Sequence, residues 1–340
     1  MSDRKQNVLL TGATGFLGSH ILKELRDHPT LNVIAACRSP ERLPDWFGGE
    51  VRQGDLTDAA YREELFSGVD IVLHVGTWAT FWGHSKLEKE KFFNVAKHLT
   101  DLSVVKGVKK FAVASTIAVV ADKWQQGVDD FAPAQKSGFW PHLDYLIELD
   151  AHMQSIGSTQ TNMTSMRLGH FVGEGNKLGV VPALLPRLKT FLVPWLNGGK
   201  NRLPLISGQD MAKAFVRFCE TEQLQPYESF NICHKDRPTM REVVDHMSEV
   251  GRVPRPIFSV PFWAAYVFGW LMEALHPVLP GKAPFLTRSL IRVSEDRDPS
   301  IAYAKTKLGF VAKDDWRKQV KDSVGESQQA GFPWPALAQA

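Results

Sequence analysis

The sequence is poor in cysteine, nearly balanced in charge, and without an apolar stretch long enough to cross a bilayer. Its three cysteines, Cys37, Cys219 and Cys233, are scattered through 340 residues. So sparse and odd a set gives neither a disulfide framework nor zinc-ligand spacing, and it suits a reducing compartment. Lys and Arg number 40 against 37 Asp and Glu, a net charge of +3. That excess is too small for the dense basic face that nucleic acid requires. No His-Glu-x-x-His, cysteine pair or acidic cluster offers a metal site. The apolar run from Ile257 to Met272 contains Pro261 and Gly269 and falls short of the roughly 18–20 residues of a spanning helix. It reads as a buried helix. The alternative is an interfacial segment at a bilayer surface, since Trp263, Tyr266 and Trp270 carry the amphipathic rings that favour such a boundary. Met1–Asn7 is polar and no secretory signal precedes the first strand-like segment. The expected location is cytoplasmic, with membrane association through 257–272 as the alternative.

What is present is a chain with 44% apolar and 23% charged residues, a composition that supports a packed core. Strands are expected at Asn7–Leu10, Leu31–Cys37, near Val51, and at Asp70–His74, Lys110–Ala114 and Asn162–Arg167. Helical periodicity falls between them, at Phe16–Arg26 and Leu87–Lys106. Alternating strands and helices indicate an α/β fold with a parallel sheet covered on both faces. Residues 175–209 hold four prolines and five basic residues but no acidic one, which reads as an irregular excursion. Asp210–Glu220 reads as a helix, Tyr227–Ile232 as a strand, and Thr239–Val250 as a helix capped by Thr239. The expected division is a core over 1–172, a smaller lobe over 173–330 with some elements returning to the core, and a loose tail over 331–340.

Thr11-Gly12-Ala13-Thr14-Gly15-Phe16-Leu17-Gly18 joins the first strand to the first helix. Three glycines allow a tight turn and a close approach of backbone to a pyrophosphate, and the helix N-terminus supplies free N–H groups. The loop sits in the strand–turn–helix context that dinucleotide binding demands. About 20 residues on, where an acidic side chain would bind a ribose 2′-hydroxyl, the sequence has Arg38. A guanidinium there suits a 2′-phosphate, so NADP(H) is the expected cofactor, with NAD(H) as the alternative.

These features resemble the extended short-chain dehydrogenase/reductase family, a Rossmann-type doubly wound fold with a C-terminal substrate lobe. The similarity runs over about 7–325, and it is greatest to the branch of dihydroflavonol reductases, 3β-hydroxysteroid dehydrogenases and epimerase/dehydratase-like enzymes. The glycine loop carries it first, implying cofactor contacts from Gly12, Thr14, Gly15, Phe16, Leu17 and Gly18. Gly54-Asp55-Leu56-Thr57-Asp58 resembles the adenine-contacting segment, with Asp55 and Leu56 in that role. The strand ending His74-Val75-Gly76-Thr77 implies contacts from Val75, Gly76 and Thr77. Arg167-Leu168-Gly169 resembles the turn beside the nicotinamide, implicating Leu168 and Gly169. Ala114-Ser115-Thr116 follows a strand where the family keeps its catalytic Ser/Thr, so Ser115 and Thr116 are the expected holders of the substrate oxygen.

The family's catalytic Tyr-x-x-x-Lys is matched in part. Tyr145 falls at the expected distance and implies both proton donation and a cofactor contact, but Leu149 stands where the lysine should be. A tyrosine without that cation stays a neutral phenol near pH 7, able to give a proton to a carbonyl but not to accept one from an alcohol. His142 and His152 flank it and read as solvated helix-surface side chains, with a proton relay as the alternative, and the Tyr303/Lys307 match reads as chance. Trp78, Phe81, Trp82, Phe139, Trp140 and Phe171 stand at ligand-facing strand ends, which suggests a large apolar pocket.

The expected function is an NADP(H)-dependent oxidoreductase that reduces a carbonyl of a steroid-like, terpenoid or aromatic substrate. The alternative, favoured by Leu149, is a catalytically weak NADP(H)-binding regulatory or interaction protein. The expected partner is a small apolar substrate; a bilayer surface met through 257–272 and a second copy of the chain are the further alternatives. No metal and no nucleic acid are expected.

Overall fold

The computed structural model of the chain describes residues 4–121, 126–128, 130–278 and 284–333. Residues 334–340, most of the expected tail, lie outside the described residues, as do the first three residues of the polar N-terminus.

The first half alternates as its hydrophobic pattern demands. It runs β1 (Gln6–Thr11), α1 (Phe16–Leu25), β2 (Leu31–Cys37), β3 (Glu50–Gln53), α2 (Ala59–Glu64) and β4 (Ile71–His74). Next come α3 (Ser85–Glu88), α4 (Asn94–Val105), β5 (Lys110–Thr116), the short β6 (Gln126–Val128), α5 (Pro141–Ile156) and β7 (Asn162–Leu168). The second half contributes β8 (His170–Val172), α6 (Val180–Leu188), β9 (Trp195–Leu196), β10 (Leu205–Ser207), α7 (Gly208–Glu220), β11 (Tyr227–Ile232) and α8 (Met240–Gly251). It closes with β12 (Ser259–Val260), α9 (Phe262–Leu275), α10 (Arg288–Val293), β13 (Asp298–Pro299), α11 (Ala302–Leu308) and α12 (Trp316–Gln329).

Seven strands form one sheet in the order β11-β7-β5-β4-β1-β2-β3, and every pairing in it is parallel. This is the Rossmann-type arrangement. β4 and β7 are buried along their whole length, as expected of central strands covered on both faces. One face packs on α1 and α7, whose Ile21, Leu22, Phe215 and Phe218 are fully buried or nearly so. The other packs on α4 and α5 through Val95, Leu99, Leu143, Leu149 and Met153. A third cluster joins α6, α8 and α12 beyond the sheet. The chain order reverses between β1 and β4, and ligands of open α/β sheets bind at the carboxyl ends beside such a reversal.

Three expectations about local structure need correction. The helix expected over Leu87–Lys106 is interrupted by a π turn at Lys89–Phe93 between α3 and α4. The excursion over 175–209 contains α6, a nine-residue helix that tolerates Pro186 inside it. The run Ile257–Met272 is not a buried helix. It forms most of α9, in which only Ala265 and Gly269 are buried, while Trp263 is 71% and Trp270 55% exposed. Among the described residues, no helix is long and apolar enough to cross a membrane. The expected cap of α8 is present as a reciprocal box, Thr239 Oγ1 accepting from the Glu242 N–H and the Glu242 carboxylate from the Thr239 N–H.

Candidate active site

The carboxyl ends of β1, β2, β4 and β5 open into a cleft of about 1860 Å³ that continues among elements of the second half of the chain. Its floor begins at the turn after β1. Gly12 has φ +73°, and a Cβ on it would collide with the Gly76 backbone. A Cβ on Gly18 would fall on the Gly12 carbonyl oxygen. Glycine is therefore required at both places for the two loops and α1 to approach. The Gly12–Gly76 approach is fixed by a buried pair below it, Thr11 Oγ1 and His74 Nδ1 at 2.7 Å. Burial lowers the His74 imidazole to about 4. α1 starts at Gly15 with no side-chain cap, so its first N–H groups and dipole face the cleft as an anion site. The cradle fits a dinucleotide pyrophosphate.

Arg38, at the end of β2, and Arg42 line the same cleft. Arg38 lies 4.0 Å from the Asp55 carboxylate, and both side chains are largely exposed. Asp55 is held below the usual carboxylate range, chiefly by the Thr57 backbone N–H, with help from the Thr57 hydroxyl and Arg38. Leu56, Val75, Gly76, Thr77 and Gly169 also line the cleft, as do Thr14, Phe16 and Leu17. Leu168 does not. As the last residue of β7 it points into the core and is 1% exposed.

Ser115 and Thr116, at the end of β5, reach the cleft wall. Thr116 accepts from the Ala118 N–H. The Ser115 hydroxyl is buried without a hydrogen-bond partner among the described residues, and so are Thr77 Oγ1 and Trp78 Nε1 on the same wall. Buried polar atoms are seldom left unpaired, and these three belong to residues that line the cleft.

Tyr145 is not part of that wall. Its ring stacks on Phe93 at 5.2 Å and its hydroxyl stands 3.4 Å from Ser85 Oγ, away from the cleft lining. Leu149 is fully buried in the core. The pair that α5 does present to the cleft is His142 and Leu146, four residues apart and so on one helix face. The physical reason is the phase of α5. Its buried stripe is Leu143, Leu146, Leu149, Asp150 and Met153, centred on Leu146, and Tyr145 falls on the flank of that stripe. His142 Nδ1 lies 2.5 Å from a carboxyl oxygen of Glu88 at the end of α3. His152 is instead bonded to Asp101 and does not line the cleft. Tyr303 donates to Glu228 and stacks on Phe230, which leaves the Tyr303/Lys307 match a structural feature of α11.

Of the expected aromatics, Trp78, Phe81, Trp140 and Phe171 line the cleft. Trp82 packs against His276 and Phe139 against Tyr266. Leu184, Trp195, Phe258, Phe268 and Phe285 of the second half complete the cleft, a largely apolar surface that composition alone did not locate.

A family model described as the NAD dependent epimerase/dehydratase family matches residues 8–233. A 2-alkyl-3-oxoalkanoate reductase of Shewanella oneidensis is 23% identical, the alignment covering 95% of this chain and 88% of that protein. A decarboxylating sterol-4-alpha-carboxylate 3-dehydrogenase of Dictyostelium discoideum is 23% identical over 91% of this chain and 97% of its own length. Among solved structures, MoeE5 in complex with UDP-glucuronic acid and NAD superposes with a TM-score of 0.70 at 19% identity, over 95% of this chain and 99% of that one. The last likeness is one of fold.

Proposed function

The chain belongs to the NAD dependent epimerase/dehydratase family, and from that premise we propose that it is an NADP(H)-dependent oxidoreductase reducing a carbonyl of an apolar substrate. The observation that carries the reading is the unpartnered Ser115 hydroxyl on the cleft wall, flanked by the unpartnered Thr77 and Trp78 polar atoms. A substrate oxygen supplies the partner that Ser115 lacks, and Thr116 stands beside it. When bound, the nicotinamide supplies the hydride. Arg38 and Arg42 offer two guanidinium groups to a 2′-phosphate. The apolar lobe lining favours a hydrophobic ketone over a nucleotide sugar, and the two relatives named as acting on an oxoalkanoate and a sterol agree with that choice.

The bilayer surface belongs to the same reading. Phe258, Leu192 and Phe268 line the cleft and are also substantially exposed. The apolar face of α9 is thus continuous with the cleft mouth, the arrangement expected where a hydrophobic substrate enters from lipid.

The test is NADPH oxidation by the purified protein with a panel of long-chain 3-oxo compounds, sterol ketones and aromatic ketones. Turnover with at least one of them, and its loss in Ser115→Ala, supports the reading. Tight NADPH binding with no turnover would favour the second reading, a cofactor-binding regulatory protein. The observation behind that alternative is Leu149, an aliphatic side chain where the resemblance implies a lysine, and fully buried in the core.

A further inference from the structure

Glu88 is fully buried and has two side-chain partners among the described residues. Its Oε2 accepts from Thr80 Oγ1 at 3.0 Å, and its Oε1 meets His142 Nδ1 at 2.5 Å. Thr80 is itself fixed, since the Trp140 indole N–H donates to its carbonyl at 2.7 Å. A carboxyl group taken out of water is costly unless it is paired and hydrogen-bonded, so this one belongs to the imidazole it touches. His142 lies in the first turn of α5, where Pro141 begins the helix. Its ring packs against Phe92 with centroids 4.8 Å apart. With Nδ1 held by Glu88, Nε2 is the ring nitrogen left over. It has no hydrogen-bond partner among the described residues and is not sealed in the interior, and the residue lines the cleft that also holds Ser115 and Thr116.

An imidazole with one nitrogen anchored by a buried carboxyl and the other free towards a cleft is the arrangement of an oriented proton donor. Resting on the reductase reading above, we infer that His142 is the group that protonates the substrate oxygen and that Glu88 is its positioning residue. The carbonyl carbon accepts a hydride from a reduced nicotinamide dinucleotide, the C=O π pair moves onto oxygen, and an O–H bond forms as the Nε2–H bond breaks. The electron pair of that bond stays on Nε2. The Nδ1–H remains with Glu88, and a proton from bulk solvent, carried through water in the open cleft, returns to Nε2. The products are the alcohol and the oxidised dinucleotide.

The experiment uses the full chain and four variants. His142→Ala and the volume-keeping His142→Phe lower kcat for ketone reduction by about 10²- to 10⁴-fold, while NADPH affinity, read by fluorescence titration, is retained. Added imidazole restores part of the turnover of His142→Ala but not of His142→Phe, which leaves no space for it. Glu88→Gln lowers kcat with KM unchanged. The downfield imidazole N–H proton resonance of the wild type, a readout independent of turnover, disappears in this variant and in both His142 variants. His152→Ala, on the same helix but away from the cleft, leaves kcat unchanged. Wild-type turnover that survives in both His142 variants overturns the proton-donor role and leaves the reductase reading standing. Absence of the downfield proton in the wild type overturns the role of Glu88. No NADPH oxidation by the wild type across the substrate panel overturns the reductase reading, and the donor role with it.

Discussion

Asp150 of α5 and Arg167 of β7 face each other at 3.6 Å, both almost wholly buried. Burial pushes the Asp150 carboxyl up, against the opposing pull of Arg167. The pair pins α5 to the sheet at one rotation about its axis. Two turns earlier on the same face stands His142, so the residue that α5 shows to the cleft is decided by this contact as much as by local sequence.

That rotation makes two lysine substitutions unequal. Leu149→Lys places an ammonium in the core with no partner, and unfolding free energy should fall by roughly 3–5 kcal/mol. Leu146→Lys lies on the cleft wall, where the ammonium can reach water, and should cost less than half as much. Urea unfolding of the two variants decides the point. Equal losses would contradict the phase of α5.

Tyr145→Phe removes a hydroxyl whose contact with Ser85 is a long 3.4 Å. Stability should change by no more than about 1 kcal/mol. Ketone reduction should persist, far from the loss of about 100-fold or more that follows removal of a general acid. Steady-state kinetics of the variant beside the wild type measure this.

Arg38→Ala tests the cofactor choice. The wild type should bind NADPH more tightly than NADH, and the variant should shrink that preference by roughly 10- to 100-fold, the value of one charge-assisted contact. Equal wild-type affinities for the two cofactors, by fluorescence titration, would remove the 2′-phosphate from the reading.

Exposed Trp263 and Trp270 on α9 should bring the protein down with sedimenting phospholipid vesicles. Trp263→Ser together with Trp270→Ser should weaken this without lowering turnover of a water-soluble ketone. A wild type that stays in the supernatant would count against the bilayer surface.

Two buried histidines set the acid limit of stability. His74 and His170 are each lowered to about 4, in both cases chiefly by burial. Each takes up its proton more readily unfolded, near its ordinary value of about 6.5. Their contribution is therefore complete above about pH 6.5 and declines as pH falls towards 4. By pH 5 the loss is of order 2 kcal/mol for each histidine. Thermal melts at pH 7 and pH 5 should show it, and His170→Gln should flatten the dependence.

The strand–glycine–helix unit was legible because its signal is local. Gly12, Gly15 and Gly18 stand between an apolar strand and an amphipathic helix, and nothing distant is needed to read them. The places of Arg38 and Ser115 on the cleft lining were legible for the same reason, each following directly on an apolar run. The face that α5 turns to the cleft is fixed from outside the helix, by the contact of Asp150 with Arg167. Residue type alone points to Tyr145, which falls beside the buried stripe Leu143, Leu146, Leu149, Asp150 and Met153. Glu88 could not be found at all, since it stands 54 residues from its partner. α9 was expected to be buried because its composition is apolar, but burial also requires a neighbour to cover the helix, and only Ala265 and Gly269 are covered.

The π turn at Lys89–Phe93 stores one surplus residue between Glu88 and the regular turns of α4. Bulges of this kind are frequent at functional sites. Because the bulge has absorbed the surplus, deleting one residue within Lys89–Phe93 would let the helix close into regular turns with Glu88 and the core residues Val95, Ala96 and Leu99 still in phase. The same deletion within the regular turns of α4 would rotate everything before it by about 100° and carry Glu88 away from His142. Chain length is thus forgiving at the bulge and exacting one turn later.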